Sequence, residues 1–237
     1  MKKNFVYTMF LALATLALAS CSKDDESAGK SRITYYPTIE IIGDNPIFID
    51  KGSAFQDPGC TSFMNGEDVS DKVVVSGSVD PNKSGSYTLT YNSVKNSDGF
   101  GSSTTRTVIV LDPNSLYEGL YYCQASSYRV REGAQVAYGD DYPVLVFDNG
   151  DGTVDVDDLL GGWYCQRAGY GSSYAMQATL SIDADGTVTC LDSFVPGWGD
   201  AHDDYTGTFD AATGTFTMNT VYAGMDFVQT WVKYVNE

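Results

Sequence analysis

Two glycine-rich stretches carry the residues best suited to grip a ligand. They are Gly161-Gly162-Trp163-Tyr164-Cys165-Gln166-Arg167-Ala168-Gly169-Tyr170-Gly171-Ser172-Ser173-Tyr174 and Pro196-Gly197-Trp198-Gly199. Large rings in Gly-rich loops are harder to bury than rings in strands, so Trp163, Tyr164, Tyr170, Tyr174 and Trp198 are the candidate binding residues. Such rings stack on the apolar face of a sugar while nearby Asp, Gln and Arg groups bind its hydroxyls. The same tryptophans also suit a plainer role, plugging the ends of a β-domain.

Other clusters offer weaker chemistry. Asn149, Asp151, Gly152, Val154, Asp155 and Asp158 fit positions of a calcium loop, with Asn149, Asp151, Asp155 and Asp158 as ligands, but Phe147 stands where the first oxygen ligand belongs. A plain acid-Gly hairpin explains the same residues. The single histidine, His202, lies in Gly197-Trp198-Gly199-Asp200-Ala201-His202-Asp203-Asp204. One loop rarely completes a metal shell, and no G-x-S-x-G elbow accompanies this histidine. With 31 acidic residues any carboxylate pair could be nominated for glycoside hydrolysis, so the chain reads as non-catalytic, with no metal and no cofactor.

The elements that position these loops are strands. Residues 115–237 repeat one device, an acid-rich turn with a glycine between strand formers: Asp148 to Val154, Asp183 to Val188 and Asp210 to Phe216. Glycine supplies positive φ, and Asp or Asn bonds back to the turn. The turns join 144–147 with 154–156, 178–182 with 188–191, and 205–209 with 216–221, while 117–124 precedes them and 227–234 closes the chain. About eight sequential strands make an antiparallel meander, closed into a barrel or folded as a sandwich. The fold class is therefore all-β.

Residues 36–112 form a separate module that ends at Asp112-Pro113-Asn114. Short strands are expected at 38–42, 46–49, 72–75, 86–91 and 104–111, with Tyr87, Leu89 and Tyr91 alternating against Thr88 and Thr90 as one buried face requires. The stretches Lys51-Gly52-Ser53-Ala54-Phe55-Gln56-Asp57-Pro58-Gly59-Cys60, Gly85-Ser86-Tyr87-Thr88-Leu89-Thr90-Tyr91 and Arg106-Thr107-Val108-Ile109-Val110 resemble the bacterial Ig-like domain of pesticidal crystal proteins and many surface proteins. That resemblance implies a β-sandwich acting as spacer or adhesion module. Cys60 replaces the family's small alanine-like residue and is expected to be a buried thiol. Cys60, Cys123, Cys165 and Cys190 allow three pairings that sequence cannot rank. No CxxC spacing supports zinc.

The N-terminus supplies an address. Lys2 and Lys3, an apolar run from about Phe5 to Leu18, then Ala19 and Ser20 have the three parts of a secretory signal over residues 1–20. The run is too short for a spanning helix, which needs roughly 20 apolar residues. Leu18-Ala19-Ser20-Cys21 resembles the bacterial lipobox, which implies cleavage before Cys21 and lipid on its sulfur. Ser22-Lys23-Asp24-Asp25-Glu26 resembles the export signal of Bacteroidetes-type surface lipoproteins, within a flexible tether over 21–35. The C-terminal half also resembles the β-domain of such lipoproteins, through Tyr117-Glu118-Gly119-Leu120-Tyr121 and Tyr205-Thr206-Gly207-Thr208-Phe209-Asp210.

Charge limits the partners. The formal charge is −17, and loss of Lys2 and Lys3 with the signal takes it to −19, which repels nucleic acid and gives no basic patch for anionic lipid. The expectation is a lipid-anchored protein of the outer membrane facing the cell exterior, capturing a polysaccharide or oligosaccharide for an outer-membrane transporter. The alternative is an adhesion or assembly protein that binds another surface protein.

Overall fold

The computed structural model describes residues 33–235; the signal, Cys21 and the tether up to residue 32 lie outside the described residues. Packing divides the chain into two units: one contains the residues up to Ile39, Thr61–Val74 and Asn92–Ser103, the other Glu40–Cys60, Val75–Tyr91 and the chain from Thr104 on.

The Ig-like region has seven strands: β1 (Thr38–Ile41), β2 (Ile47–Asp50), β3 (Cys60–Met64), β4 (Glu67–Asp68), β5 (Val74–Ser76), β6 (Gly85–Asn92) and β7 (Ser103–Leu111). One sheet has the order β1-β3-β4 and the other β2-β7-β6-β5, with β2 parallel to β7. On β6, Leu89 and Tyr91 are buried and Ser86 and Thr88 exposed, as the alternation requires. The strands β3 and β4 lie where no strand is expected from sequence, and their turn, Asn65-Gly66, takes positive φ at both residues, the geometry that matches strand twist.

The residues that mark this module in the sequence turn out to be one polar knot. Arg106 is 0% exposed. Its Nε donates to the Tyr91 hydroxyl at 3.0 Å and lies 3.2 Å from the Asp57 carboxylate, and its terminal nitrogens donate to the Ile42, Asp44 and Gly59 carbonyls. The Tyr91 hydroxyl donates in turn to Asp57. A guanidinium taken out of water is tolerable only when its donors are met, and here they are. Cys60 beside this knot is half-buried, not buried as expected, and partial burial raises its thiol pKa.

The C-terminal region is a closed barrel. Its strands are β8 (Gly119–Cys123), β9 (Tyr128–Arg131), β10 (Ala134–Ala137), β11 (Tyr142–Asp148), β12 (Thr153–Val156), β13 (Gln177–Ile182), β14 (Thr187–Phe194), β15 (Asp204–Asp210), β16 (Thr215–Tyr222) and β17 (Met225–Lys233). β11 to β17 pair in sequence, and β8 closes the ring between β17 and β11, giving eight antiparallel strands. These are the eight expected from the hairpin signals. Inward positions recur at every second residue: Phe216, Met218, Thr220 and Tyr222 on β16 meet Met225, Phe227, Gln229 and Trp231 on β17. Closure leaves no open edge in the ring.

The hairpin β9–β10 adds two strands beyond those eight. Glu132 and Gly133, both at positive φ, make its two-residue turn. β17 serves two partners along one edge: Trp231–Lys233 pair with β8, and Asp226–Val228 pair with β9. The hairpin therefore extends the wall past the point of closure. The four cysteines Cys60, Cys123, Cys165 and Cys190 are unpaired.

Candidate functional site

The long connection between β12 and β13 builds the site. It begins by turning inward: Leu159 and Leu160 are fully buried in the barrel core. Asp158 organises this turn, its carboxylate accepting the backbone N–H groups of Leu160 (3.0 Å), Gly162 (2.9 Å) and Met176 (3.1 Å), with the Cys165 thiol at 3.0 Å. Full burial raises its pKa, and the thiol and backbone donors oppose that. Gly161, at φ +57°, passes so close to the core that an added Cβ would lie 2.7 Å from the Cys123 sulfur. Trp163–Arg167 then form one π-helical turn closed by the Ala168 N–H to Trp163 carbonyl bond, and Ser172–Tyr174 form a short 3₁₀ turn.

The π-helical turn separates its two adjacent rings. Trp163 is 3% exposed and packs edge-on against Tyr138 (4.9 Å) and Phe227 (5.8 Å). It is a core residue, which corrects the expectation that it is presented to a ligand: the large apolar ring fills the barrel end. Tyr164 points the other way, half-buried, into a second group of rings. Tyr170 stacks on it at 6.1 Å and 24°, Trp198 meets it edge-on at 4.8 Å, and Tyr222 lies 6.2 Å away. Tyr174 packs on Trp198 at 4.8 Å and on Tyr170 at 5.5 Å. Of the five expected rings, the structure thus brings four together.

This platform is open to solvent. Tyr170 is 55% and Trp198 42% exposed, and with Tyr174 they line a shallow cleft of about 340 Å³. Two loops distant in sequence are locked under it: the Gly197 N–H donates to the Ser173 carbonyl at 2.6 Å, and an added Cβ at Gly197 would lie 2.6 Å from the Tyr174 ring. Only glycine lets the Trp198 loop approach so closely. The Tyr222 hydroxyl donates to the Asp200 carboxylate at 2.8 Å; burial, then this carboxylate, raises the phenol's pKa. Tyr222 and Asp200 join the site from a strand end and a loop, and nothing in their local sequence singles them out.

Polar groups border the rings. The guanidinium carbons of Arg129 and Arg167 lie over the Trp163 ring, 4.8 and 4.2 Å from its centre. Arg167 donates from Nε to the Tyr138 carbonyl at 2.9 Å. Burial raises the pKa of the Tyr164 phenol, and Arg129 and Arg131 pull it back down through their charge, so both cations of β9 act on this ring. The usable signal for them was scarcity: residues 113–237 carry 18 acidic side chains and only four cations, Arg129, Arg131, Arg167 and Lys233.

Known proteins share this architecture. Residues 39–110 match the family model "Bacterial surface protein, Ig-like domain", and residues 111–233 match a model described as "-like, C-terminal domain". The crystal structure of the lipoprotein BT2262 from Bacteroides thetaiotaomicron aligns with a TM-score of 0.73 at 41% identity, covering 84% of this chain and 100% of that one. This chain belongs to the family of that lipoprotein. The M60 catalytic domain with the CBM51-1 and CBM51-2 domains of Clostridium perfringens ZmpB aligns at a TM-score of only 0.29 and 13% identity, over 85% of this chain and 21% of that one, which carries no argument. Among curated proteins none matches.

The remaining candidates in this lipoprotein-family chain do not assemble into sites. The four carboxylate and amide groups proposed for calcium serve the β11–β12 hairpin and its surroundings. Asn149 donates to Thr153, Asp151 accepts from Thr153, Asp155 accepts from Thr179, and Asp158 faces the core. Among the described residues no three His, Cys, Asp or Glu gather to hold a metal. His202 is tied to Ser193: its Nδ1 lies 2.8 Å from the hydroxyl oxygen, which also accepts the His202 backbone N–H at 3.0 Å. Ser193 is buried and this pair fixes a loop, with the half-buried Cys190 sulfur 3.7 Å from the same Nδ1; burial pushes that thiol's pKa up to about 11. No helix among the described residues is long and apolar enough to cross a membrane.

Proposed function

We propose that this chain is a non-catalytic glycan-binding lipoprotein of the bacterial surface, lipidated at Cys21 and held at the outer membrane facing the cell exterior. The observation that carries the reading is the exposed platform of Tyr170, Tyr174 and Trp198 on a base of Tyr164 and Tyr222. Rings that pack on one another are preorganised, so a sugar stacking on them orders little that is loose. Each CH₂ of an acyl chain in the bilayer contributes about 0.8 kcal/mol, so the chains on one cysteine suffice to anchor the protein while its platform stays in water. Anchoring keeps captured polymer at a high effective concentration beside a transporter.

The test is affinity electrophoresis of residues 22–237 through gels containing plant, host and microbial polysaccharides, with the Tyr170→Ala, Trp198→Ala double variant alongside. Retardation by a polysaccharide that the variant loses by tenfold or more, while its thermal melt stays intact, supports capture at the platform. Retardation that survives the double variant moves the site elsewhere. No retardation by any polysaccharide overturns the glycan reading in favour of a protein partner.

A further inference from the structure

The barrel domain is strongly acidic, yet its few cations are not scattered. Of the four cations in residues 113–237, two, Arg129 and Arg167, lie over the Trp163 ring, and a third, Arg131, acts with Arg129 on Tyr164 through its charge. Strand pairing places them there: Arg129 lies opposite Phe227 on β17, whose ring touches both Trp163 and Tyr164, and Arg131 follows two residues on.

These arginines have few partners of their own. Arg131 makes one exposed, 3.9 Å ion pair with its neighbour Glu132. Among the described residues no carboxylate lies within ion-pair distance of Arg129 or Arg167 in this domain of 18 acids. The Nε of Arg129 is shielded from solvent and has no hydrogen-bond partner. A buried, unpaired guanidinium donor is an unmet cost in the free protein. Stacking on Trp163 fixes the plane of the guanidinium, and a fixed planar fork is the group best matched to a carboxylate. Of the two acids whose charge acts on Tyr222, Asp200 is occupied by the Tyr222 hydroxyl, and Asp203 acts through its charge alone.

We propose that the platform selects an anionic sugar, a carboxylate-bearing residue such as a uronate or a sialate, whose ring stacks on Tyr170 and Trp198 while Arg129 and Arg131 receive its carboxylate. The proposal rests on the glycan reading and sharpens it: in a chain of net charge −17, a local group of arginines beside the rings is what would orient an anionic ligand.

The experiment compares polymers that differ only in charge. Residues 22–237 are run through gels containing polygalacturonate, hyaluronan or polysialate, and through gels containing the carboxyl-reduced form of each. The expected result is retardation by at least one acidic polymer, tenfold weaker or more with its reduced form. That retardation should fall at least tenfold in the Arg129→Gln, Arg131→Gln variant and weaken steeply with added salt. A thermal melt confirms that the variant is folded, and the single Arg131→Gln variant, altering only an exposed side chain, serves if the double variant is not. Equal retardation by acidic and reduced polymers, retardation by neutral polysaccharides alone, or acidic binding that survives removal of the arginines overturns the anionic preference while leaving glycan capture standing. Absence of retardation by every acidic and neutral polymer overturns both.

Discussion

Arg106 is fully buried and Arg129 half-buried with its Nε shielded from solvent, and the protein treats the two in opposite ways. Arg106 in the Ig-like region directs its donors onto one hydroxyl, one carboxylate and three carbonyls, all from its own surroundings. Arg129 at the barrel end lies over an indole with its Nε unpartnered. The first arrangement is complete and ties loops together. The second leaves hydrogen-bonding capacity unused beside a group of exposed rings. Burial of a cation therefore says little about its role until its donors are counted.

The comparison can be broken from either side. The largest effect belongs to Arg106→Met: removing one member of a buried, hydrogen-bonded charge pair costs about 3–5 kcal/mol, so the denaturation midpoint of the Ig-like region should fall sharply. A shift below about 1 kcal/mol would mean that the knot does not hold the module together. Asp158→Ala comes next, at about 3 kcal/mol, because three backbone N–H groups lose their acceptor. Since burial raises the Asp158 pKa, the folded state binds that proton more tightly than the unfolded chain, and barrel stability should decline as pH rises out of the ordinary carboxylate range. The alanine variant should flatten that part of a stability-against-pH curve.

Smaller effects test the site itself. Gly197→Ala drives a methyl into the Tyr174 ring, costing about 1–2 kcal/mol by overpacking, and should disturb the tryptophan fluorescence of the platform. Arg129→Met is expected to shift stability by less than about 1 kcal/mol, the worth of a cation–π contact. A loss as large as that of Arg106→Met would place Arg129 among the structural residues.

Sequence made the ring of strands readable because its turns are chemical: Asp148, Asp183 and Asp210 each begin a turn in which an acid and a glycine are needed, and the strands between them alternate. It also pointed to four of the platform rings, because glycine-flanked aromatics are unusual in a core. It could not separate Trp163 from Tyr164. Adjacent residues point apart in both a strand and a tight turn, and which of them faces inward depends on the π-helical turn, a tertiary outcome. The hairpin β9–β10 also has a sequence signal, Tyr128 and Val130 alternating with Arg129 and Arg131 before the Glu132-Gly133 turn, but its strands are only four residues long and their pairing with β17 is a tertiary outcome. That pairing sets Arg129 opposite Phe227, a placement no local signal carries.

That hairpin has an evolutionary consequence. The ring closes through β8 and β17, so β9 and β10 add no necessary bond to its circumference. A lineage built on this plan can recharge the exposed positions of these residues, such as Arg131, while the eight-strand ring keeps its pairing and Val136 stays against the core. The surface chemistry of this end and the pairing of the ring then become separately heritable, and diversity among its descendants should collect in the hairpin first.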